Sequence, residues 1–435
     1  MIVLCMYLIV YLVAAIWFLL PAPAYAYLDP GTGNALVYAA FSFIGAIFFS
    51  LKGVFYALVG KKGADDDFIA ENHDIVIFSE GKAYWYTFKP IVEALLRKGQ
   101  PFSYYTMDIE DPCLTIDHPR LFNRYIGSGN RAFAKIGNIK AGILLSTTPN
   151  IGTQGYPIPK SSNVGELIHV FHSFEDLCVY HRGSLDHYDS VFLVGAFEEP
   201  IIRKLEDIRQ LPKKSLIPGG LPYIDELLAQ KEKMLSEAAA PVESGLKTVL
   251  IAPSWGEKGC LKEYGWDFVE LLAQAGYEVI IRPHPQSWRV EADFMKDLES
   301  KLSRYANIGW DKEVDATPSF LRADILVSDM SSVRFDFLLL YQKPVITLEI
   351  PAESMQDFER VDLQESWKEV EIAKFSPRLG HGDINRIVEV VRQTMERQDI
   401  TDAILSFREK NLYNLGNSGE AIADYLMASR NHNRA

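Results

Sequence analysis

The sequence predicts an α/β protein with two Rossmann-like, doubly wound halves that face a cleft, preceded by an apolar N-terminal segment. Three observations lead to this fold class. Short apolar runs alternate with stretches of helical period from residue 75 onward. A Pro/Ser/Gly-containing stretch at 239–245 divides that alternation into two series. Residues 1–28 carry no charged side chain, which is typical of a segment that enters a membrane.

Composition sets the broad class of the protein. The 435 residues are 48% hydrophobic, which is enough for two domains with sizeable cores and an additional N-terminal segment. A net charge of -13 argues against nucleic acid as a partner, although a local basic pocket can still bind an anionic substrate. None of the four cysteines lies in a C-x-x-C pair. We therefore expect free thiols in a reducing compartment, without disulfides or a zinc site.

Residues 1–62 are predicted to form a membrane anchor with two apolar segments. The first, 2–20, can cross a bilayer core of about 30 Å at about 1.5 Å per residue. The second, 35–59, ends at Lys61 and Lys62. Either both segments span as a hairpin, or the first is a signal peptide cleaved near "PAPAYA". Positive residues that flank a span stay in the cytoplasm, so both interpretations place the rest of the chain there.

The N-terminal half is predicted over 72–238 and the C-terminal half over 246–430. In the first half, "DIVIFSE", "FSYYTMD", "AGILLSTT", "LIHVFHS" and "SVFLVG" read as strands, with "PIVEALLRKG" as a helix. In the second half, "KTVLIAP", "YEVIIRPHP", "ADILVSD" and "KPVITLE" read as strands. The intervening helices are "GWDFVELLAQAG" and "SSVRFDFLLLYQ", and "GDINRIVEVVRQTMER" and "GEAIADYLMASRN" close the chain.

Two stretches of the second half have the chemistry of a phosphate site. In "VSDMSSVRFD", Ser331 and Ser332 fall at a helix N-terminus, where backbone N–H groups and the helix dipole favour a diphosphate. Simple N-capping is the alternative for these serines. In "IIRPHP", Arg282 and His284 follow a buried strand and can both donate to phosphate oxygens. A structural role for His284 remains the alternative.

The stretch "IHVFHSFED" supplies the candidate for the first half. His172 ends an apolar strand, and its imidazole can deprotonate a hydroxyl near neutral pH. His169 lies three residues earlier, on the opposite face of the strand, which argues against a shared metal ion. We expect His169 to be a hydrogen-bonded core residue. His181, His187, Glu175 and Asp176 are the alternative bases downstream.

The order and spacing of "KTVLIAPSWG", "IIRPHP" and "ADILVSDMSSVRFDFLLLYQKPVI" resemble those of the CDP-glycerol glycerophosphotransferase family, the teichoic-acid primases and polymerases. The resemblance extends from about residue 74 to the C-terminus. It implies a GT-B fold, no cofactor and no catalytic metal. The turn "PGGLPYIDEL" resembles the family's G-x-P-R-x-D turn, with Tyr223 where the family usually has arginine.

The resemblance also implies roles for individual residues. The family's donor-phosphate histidine corresponds to His284, and its base, in a W-H-G-T strand end, corresponds to His172. Around that base, Phe171 and Ser173 replace the family's tryptophan and glycine. The family's diphosphate-binding serines correspond to Ser331 and Ser332, with Asp329 and Asp336 beside them. Together with Arg282 from the strand end, they form the expected donor-binding set.

These expectations describe an enzyme of cell-envelope polymer synthesis. It would move glycerol phosphate, or a related phosphoalditol, from a CDP donor to a hydroxyl of a membrane-linked glycan or lipid. It would sit in the bacterial inner membrane with its catalytic part in the cytoplasm. A GT-B glycosyltransferase that uses a nucleotide sugar is one alternative. A catalytically silent membrane scaffold of the same fold is the other.

The basic pair after the second apolar segment generates a topology prediction. A C-terminal alkaline phosphatase fusion, active only outside the cytoplasm, should stay inactive in cells because Lys61 and Lys62 hold their flank inside. A C-terminal green fluorescent protein fusion, which matures in the cytoplasm, should fluoresce. The opposite pair of signals would contradict the predicted orientation.

Overall fold

The computed structural model describes residues 72–174, 176–237, 245–257, 259–313, 315–350, 357–374 and 376–432. These residues belong to one compact unit of the chain. The anchor predicted for 1–62 lies outside them. Among the described residues, no helix combines the length and apolar character that a membrane crossing requires.

The first half contains a parallel sheet of seven strands. They are β1 (Asn72–Ser79), β2 (Phe102–Thr106), β3 (Leu121–Tyr125), β4 (Lys140–Ser146), β5 (Val164–Val170), β6 (Ser190–Leu193) and β7 (Ser215–Pro218). Their order across the sheet is β3-β2-β1-β4-β5-β6-β7. The α-helices of this half are α1 (Trp85–Arg97), α2 (Gly129–Ile136), α3 (Glu198–Arg209) and α4 (Pro222–Glu237). Short 3-10 helices occupy Lys82–Tyr84, Pro112–Thr115 and Leu177–Val179.

The second half contains a parallel sheet of six strands. They are β8 (Thr248–Ile251), β9 (Glu278–Ile281), β10 (Ile308–Trp310), β11 (Ile325–Ser328), β12 (Val345–Leu348) and β13 (Arg378–Leu379), in the order β10-β9-β8-β11-β12-β13. Its longer helices are α6 (Asp267–Gln274), α8 (Ala292–Leu302), α10 (Val333–Tyr341), α13 (Ile387–Met395), α14 (Ile400–Asn411) and α15 (Ser418–His432). Shorter ones are α5 (Cys260–Glu263), α7 (Pro285–Val290), α9 (Thr317–Arg322), α11 (Arg360–Leu363) and α12 (Trp367–Ile372), with a 3-10 helix at His381–Arg386.

Both sheets are covered by helices, and the apolar runs of the sequence form their central strands. The residues Ile75, Val76, Ile77 and Phe78 of β1 are completely buried, as is typical of a parallel strand with helices on both faces. Every strand that the apolar runs predicted is present. The structure adds β3, β7, β10 and β13, which the sequence pattern did not reveal.

The last helix of the chain returns to the first half. In α15, Ile422 and Leu426 share one core with Ile91 and Leu95 of α1. The two helices approach so closely that a Cβ atom on Gly419 would lie 2.6 Å from the Pro90 backbone. Glycine is therefore required at that position. α15 follows the second half in the sequence but packs against the first half.

Two sets of contacts join the halves away from the cleft. The first is aromatic, with the Phe174 ring 4.9 Å from that of Phe335 and the Phe197 ring stacked 3.9 Å from that of Trp367. Phe174 and Phe197 belong to the first half, and their partners lie on α10 and α12 of the second. Such ring pairs add about 0.5–1.5 kcal/mol beyond the burial of their area.

The second set of contacts is ionic and lies at the end of α3. Arg209 pairs with Glu359 and with Asp362, the latter at 2.6 Å. Glu359 is completely buried and also accepts hydrogen bonds from the backbone N–H groups of Gly183 and Ser184. Removing one partner of a buried ion pair typically costs about 3–5 kcal/mol, so this contact fixes the segment before α11 on the first half.

His169 lies within the first sheet rather than at its edge. Its side chain is completely buried, with ring contacts to Phe171 at 4.8 Å and Tyr188 at 5.0 Å. Neither ring nitrogen has a hydrogen-bond partner among the described residues, so the expectation of a hydrogen-bonded histidine was wrong. Burial, and the nearby His172, lower the pKa of His169 to about 3, which keeps it neutral at physiological pH.

The buried imidazole generates a prediction about acid stability. Because the folded-state pKa of His169 lies below its unfolded value near 6.5, the unfolded state binds more protons as the pH falls. We expect the free energy of unfolding to decrease from about pH 6.5 towards pH 3, by up to about 1.4 kcal/mol per pH unit from this residue. Urea unfolding of His169→Leu across that range should show a shallower pH dependence than wild type.

The exposed His187 provides a matched control, because His187→Leu should leave the pH dependence as in wild type. Equal slopes for wild type and His169→Leu would mean that His169 is accessible to protons in the folded protein.

Candidate active site

A cleft of about 870 Å³ lies between the two halves, a volume within the usual range for small-molecule sites. The second half contributes the turns that follow β8, β9 and β11, at the carboxyl ends of these parallel strands. The first half contributes the start of α1 and one face of α4. Of the predicted site residues, the cleft is lined by Arg282, His284, Ser331 and Asp336.

His284 is held in one orientation by the backbone that follows it. Its Nδ1 accepts a hydrogen bond of 3.1 Å from the Gln286 N–H, at the start of α7. Burial lowers the pKa of His284, and a ring nitrogen that accepts from the backbone opposes protonation further. The neutral imidazole therefore carries its proton on Nε2, which is left to donate into the cleft.

Arg282 lines the cleft and also holds part of its wall. Its Nη1 lies 2.7 Å from the Asp311 carboxylate and donates to the Asp315 carbonyl at 3.4 Å. This pairing neutralises much of the positive charge that the sequence offered for phosphate. Arg282 consequently fixes the segment after β10 beside His284.

Asp329 lies behind the cleft. The side chain is buried, and its carboxylate accepts hydrogen bonds from the Ser254 N–H, the Ser254 hydroxyl and the Cys260 N–H at 2.6–2.8 Å. It also accepts from the Ser331 N–H at 3.2 Å. The structure thus gives Asp329 a positioning role, in which it joins the turn after β11 to the turn after β8.

Ser331 and Ser332 immediately precede α10. Ser331 lines the cleft, and its hydroxyl accepts a long hydrogen bond of 3.4 Å from the Val333 N–H. Ser332 occupies the N-cap position without a side-chain capping bond and does not line the cleft. The N-terminus of this nine-residue helix therefore points its dipole at the region beside Ser331.

A buried arginine beneath this turn was not predicted from the sequence. Arg334 is completely buried, and its guanidinium donates to the Ser331 carbonyl and the Thr347 hydroxyl, each at 3.0 Å. It also forms a two-pronged ion pair with Glu369 on α12. The only sequence signal was a charged residue within the apolar run "VRFDFLLLY".

Asp336 and Tyr223 meet across the cleft. The Tyr223 hydroxyl on α4 lies 3.3 Å from the Asp336 carboxylate on α10. Burial and the adjacent Asp336 hold the pKa of Tyr223 well above its usual value, so the hydroxyl stays protonated and donates. This contact connects the halves inside the cleft itself.

His172 lies just past β5 and is absent from the cleft lining. Its ring is 5.1 Å from the ring of Tyr84, at the end of the 3-10 helix whose Lys82 and Ala83 do line the cleft. The turn that carries His172 continues to Phe174, which packs on α10. It is therefore close to the cleft on the first-half side, one layer behind its surface.

The alternative bases that the structure describes do not line the cleft. His181 stacks on Phe358 at the junction of the halves, with ring centroids 4.6 Å apart. Asp176 is buried and accepts from the Ser366 hydroxyl and the Lys368 N–H, which holds the start of α12. His187 is exposed and does not line the cleft, and Glu175 lies outside the described residues.

Among the described residues, the side chains capable of binding metal are dispersed. Within the part of the chain that the structure describes, no three His, Cys, Asp or Glu side chains are arranged to hold a metal ion. Cys113, Cys178 and Cys260 are buried as free thiols, and Cys5 lies outside the described residues.

The sequence matches one protein family over more than half of its length. The family model described as CDP-glycerol:poly(glycerophosphate) glycerophosphotransferase matches residues 183–425. The chain belongs to this family. It is a glycerophosphotransferase-like enzyme, as the sequence motifs indicated. No curated protein sequence matches it.

Solved structures share the fold at low sequence identity. The wall teichoic acid polymerase TagF, as an H444N variant soaked with CDPG, is 16% identical with a TM-score of 0.53, covering 90% of this chain and 99% of that one. The UDP-GlcNAc 2-epimerase of Neisseria meningitidis, bound to UDP-GlcNAc, is 15% identical with a TM-score of 0.53, covering 81% and 99%. The corresponding epimerase of Methanocaldococcus jannaschii is 13% identical with a TM-score of 0.51, covering 82% and 99%. These likenesses confirm the predicted α/β fold with two parallel sheets.

The different settings of Asp329 and His284 generate a stability prediction. Asp329→Ala should lower the free energy of unfolding by about 3 kcal/mol or more, because it leaves several buried donors without an acceptor. His284→Ala should cost less than about 1 kcal/mol, because it removes one capping contact from a side chain that faces the cleft. Thermal and urea unfolding of both variants would measure the difference.

Exposed Arg289, on the same wall of the cleft, offers a control, since Arg289→Ala should unfold like wild type. Equal destabilisation by Asp329→Ala and His284→Ala would show that His284 is part of the core.

Proposed function

We propose that the protein transfers glycerol phosphate, or a related phosphoalditol, from a CDP donor to a hydroxyl of a membrane-linked glycan or lipid. The cleft supports this proposal, because it brings His284 and the N-terminus of α10 to one wall. The turn that carries His172 packs against the same helix from the first half. Family membership supports the choice of a CDP-linked donor.

In this proposal the second half binds the donor diphosphate. The Nε2–H of His284 and the Ser331 hydroxyl donate to phosphate oxygens, while the α10 dipole attracts their charge. Ser332 adds its backbone N–H, and Arg282 keeps the segment after β10 in place beside His284. These donors also stabilise the charge that develops on the departing CMP.

The transfer step uses His172 as its base. The acceptor oxygen forms a bond to the phosphorus that carries the glycerol, and the bond from that phosphorus to the CMP oxygen breaks. The neutral imidazole of His172 takes the hydroxyl proton, and CMP leaves with the electron pair of the broken bond. Asp336, which faces the cleft, would accept hydrogen bonds from the alditol hydroxyls and would repel a misplaced phosphate.

A membrane-linked acceptor would explain why the chain carries apolar N-terminal segments. An anchor in the inner membrane would hold the catalytic part at the cytoplasmic surface, where a lipid-linked acceptor and a cytoplasmic CDP donor meet. The chain would act there in the synthesis of a teichoic-acid-like polymer.

A nucleotide-sugar transferase is a second candidate. The observation that favours it is the shared fold with UDP-GlcNAc 2-epimerases, over 81% of this chain in one case. A donor comparison between CDP-glycerol and UDP-GlcNAc would separate the two functions.

Separate measurements of binding and turnover test the roles of the two histidines. His284→Ala should weaken CDP-glycerol binding about tenfold or more, because a charge-assisted hydrogen bond to phosphate contributes about 1.5–3 kcal/mol. His172→Ala should keep donor affinity within a few-fold of wild type and lose about 10²–10⁴ in transfer rate. Calorimetry with CDP-glycerol and release of CMP would give the two quantities.

His187→Ala, at an exposed position, is the control and should match wild type in both assays. Full turnover by His172→Ala with saturating acceptor would remove His172 from the mechanism. Turnover with UDP-GlcNAc alone would favour the sugar transferase, and the absence of turnover with any donor would favour a scaffold.

A further inference from the structure

The positively charged side chains that line the cleft differ in how they are paired. They are Lys82, Arg282 and Arg289. Lys82 forms an ion pair with Glu110, and Arg282 forms one of 2.7 Å with Asp311. Arg289 is exposed and forms no ion pair or hydrogen bond with another described residue. Of these three side chains, Arg289 is therefore the one that a bound anion can meet without displacing a carboxylate.

The acids that could compete for Arg289 are held by other groups. Glu291 lies two residues later, but its carboxylate pairs with Lys262 at 2.9 Å, and its side chain does not line the cleft. Asp315 does line the cleft, and its carboxylate accepts a hydrogen bond of 2.8 Å from the Thr317 N–H at the start of α9. An incoming anion would thus find the Arg289 guanidinium available.

The geometry of α7 directs Arg289 towards His284. Pro285 and Arg289 are four residues apart, so they share one face of the helix, and both line the cleft. Side chains of a helix lean towards its N-terminus, where His284 is the N-cap residue of α7. Trp288 holds the helix in place through its ring contact with Trp310 at 5.9 Å. An anion bound by the His284 ring therefore lies on the side towards which Arg289 leans.

Arg289 and Asp336 lie on opposite sides of the second-half wall. Arg289 belongs to α7, which follows β9, whereas Asp336 belongs to α10, which follows β11. β8 lies between these two strands in the sheet. Because neighbouring strands are about 4.8 Å apart, the carboxyl ends of β9 and β11 are separated by roughly 10 Å. The wall thus offers an unpaired positive charge on its β9 side and a carboxylate on its β11 side.

This polarity would orient an extended donor molecule in the proposed function. A hydroxyl-rich end is favoured beside the Asp336 carboxylate, which accepts hydrogen bonds and repels phosphate. The diphosphate would then lie between Ser331 on the β11 side and His284 on the β9 side. The nucleotide end would extend beyond His284, so the phosphate attached to the nucleoside would be the one next to α7.

We propose that Arg289 binds this nucleotide phosphate, the group that leaves as part of CMP, and the identity of the nucleotide rests on the proposed function. The guanidinium presents its N–H donors in one plane and can hold two phosphate oxygens at once. It is positively charged at every physiological pH, whereas the neutral His284 supplies a single N–H donor. Arg289 therefore adds to the α10 dipole, which acts on the Ser331 side, and neutralises the charge that develops on the departing CMP.

Calorimetry of the full-length chain with CMP and with CDP-glycerol tests this assignment. Arg289→Gln should weaken the binding of both ligands by about tenfold, because both carry the nucleotide phosphate and a charge-assisted hydrogen bond is lost. Arg289→Lys keeps the charge without the planar fork, so its affinities should fall between those of wild type and Arg289→Gln. The difference between wild type and Arg289→Gln should narrow at high salt, since the exposed charge is screened.

A matched control separates a direct contact from the loss of net charge. Lys296→Gln removes one positive charge from an exposed position on α8 that does not line the cleft, and it should bind CMP like wild type. Thermal unfolding of Arg289→Gln should also match wild type, because the side chain has no partner among the described residues to lose. An equal loss of CMP affinity in Lys296→Gln would overturn the assignment in favour of a general charge effect.

The outcomes distinguish this assignment from the proposed function. CMP binding that Arg289→Gln weakens, in a protein without transferase activity, would support the role of Arg289 and count against the function. Tighter binding of UMP than of CMP, with the same loss in Arg289→Gln, would support Arg289 and favour the nucleotide-sugar candidate.

Two results would overturn the role of Arg289 and leave the function standing. The first is transferase activity with equal CMP affinity in wild type and Arg289→Gln. The second is weaker binding of CDP-glycerol with unchanged binding of CMP, because Arg289 would then contact the transferred phosphate and not the nucleotide phosphate.

Discussion

The contact between Phe174 and Phe335 connects the two chemical sides of the cleft. Phe174 lies two residues after His172, and Phe335 lies in the first turn of α10, close to Ser331, which lines the cleft. The two rings pack at 4.9 Å, and Trp367 and Phe407 complete the cluster. A displacement of α10 would therefore move the candidate base and the candidate phosphate site together, and in the proposed function this would couple donor binding to the geometry of the transfer step.

At the candidate donor site, little of the positive charge comes from unpaired side chains. Arg282 and Arg334 are both paired with carboxylates, and burial keeps His284 neutral. In the proposed function, the attraction for a diphosphate would then come mainly from the dipole of α10, which needs no proton and does not reorganise on binding. Arg334 supports this arrangement because its guanidinium fixes the Ser331 carbonyl just before α10.

The sequence revealed those parts of the molecule that local pattern controls. Continuous apolar runs identified the central strands, and the prolines beside His284 and the serines before α10 located one wall of the cleft. β3 was missed because its exposed residues, "LFNRY", lack such a run. Other features depend on tertiary contacts that the sequence pattern does not reveal. The apolar stripe of α15, for example, does not indicate which half the helix covers. Asp329 and Asp336 also look alike in sequence, although one is buried among N–H donors and the other faces the cleft.

The replacement at Tyr223 changes the charge of the cleft. An arginine, as relatives usually have in the resembling turn, would form an ion pair with Asp336 across the halves. Tyr223 keeps a hydrogen bond of 3.3 Å to Asp336 but removes one positive charge. The cleft is thus one charge more negative at this point than an arginine would make it, so phosphate binding here is less favourable. A carboxylate in this setting stabilises bound hydroxyls better than bound phosphates, so in the proposed function the alditol end of the donor, rather than its diphosphate, would lie beside α4.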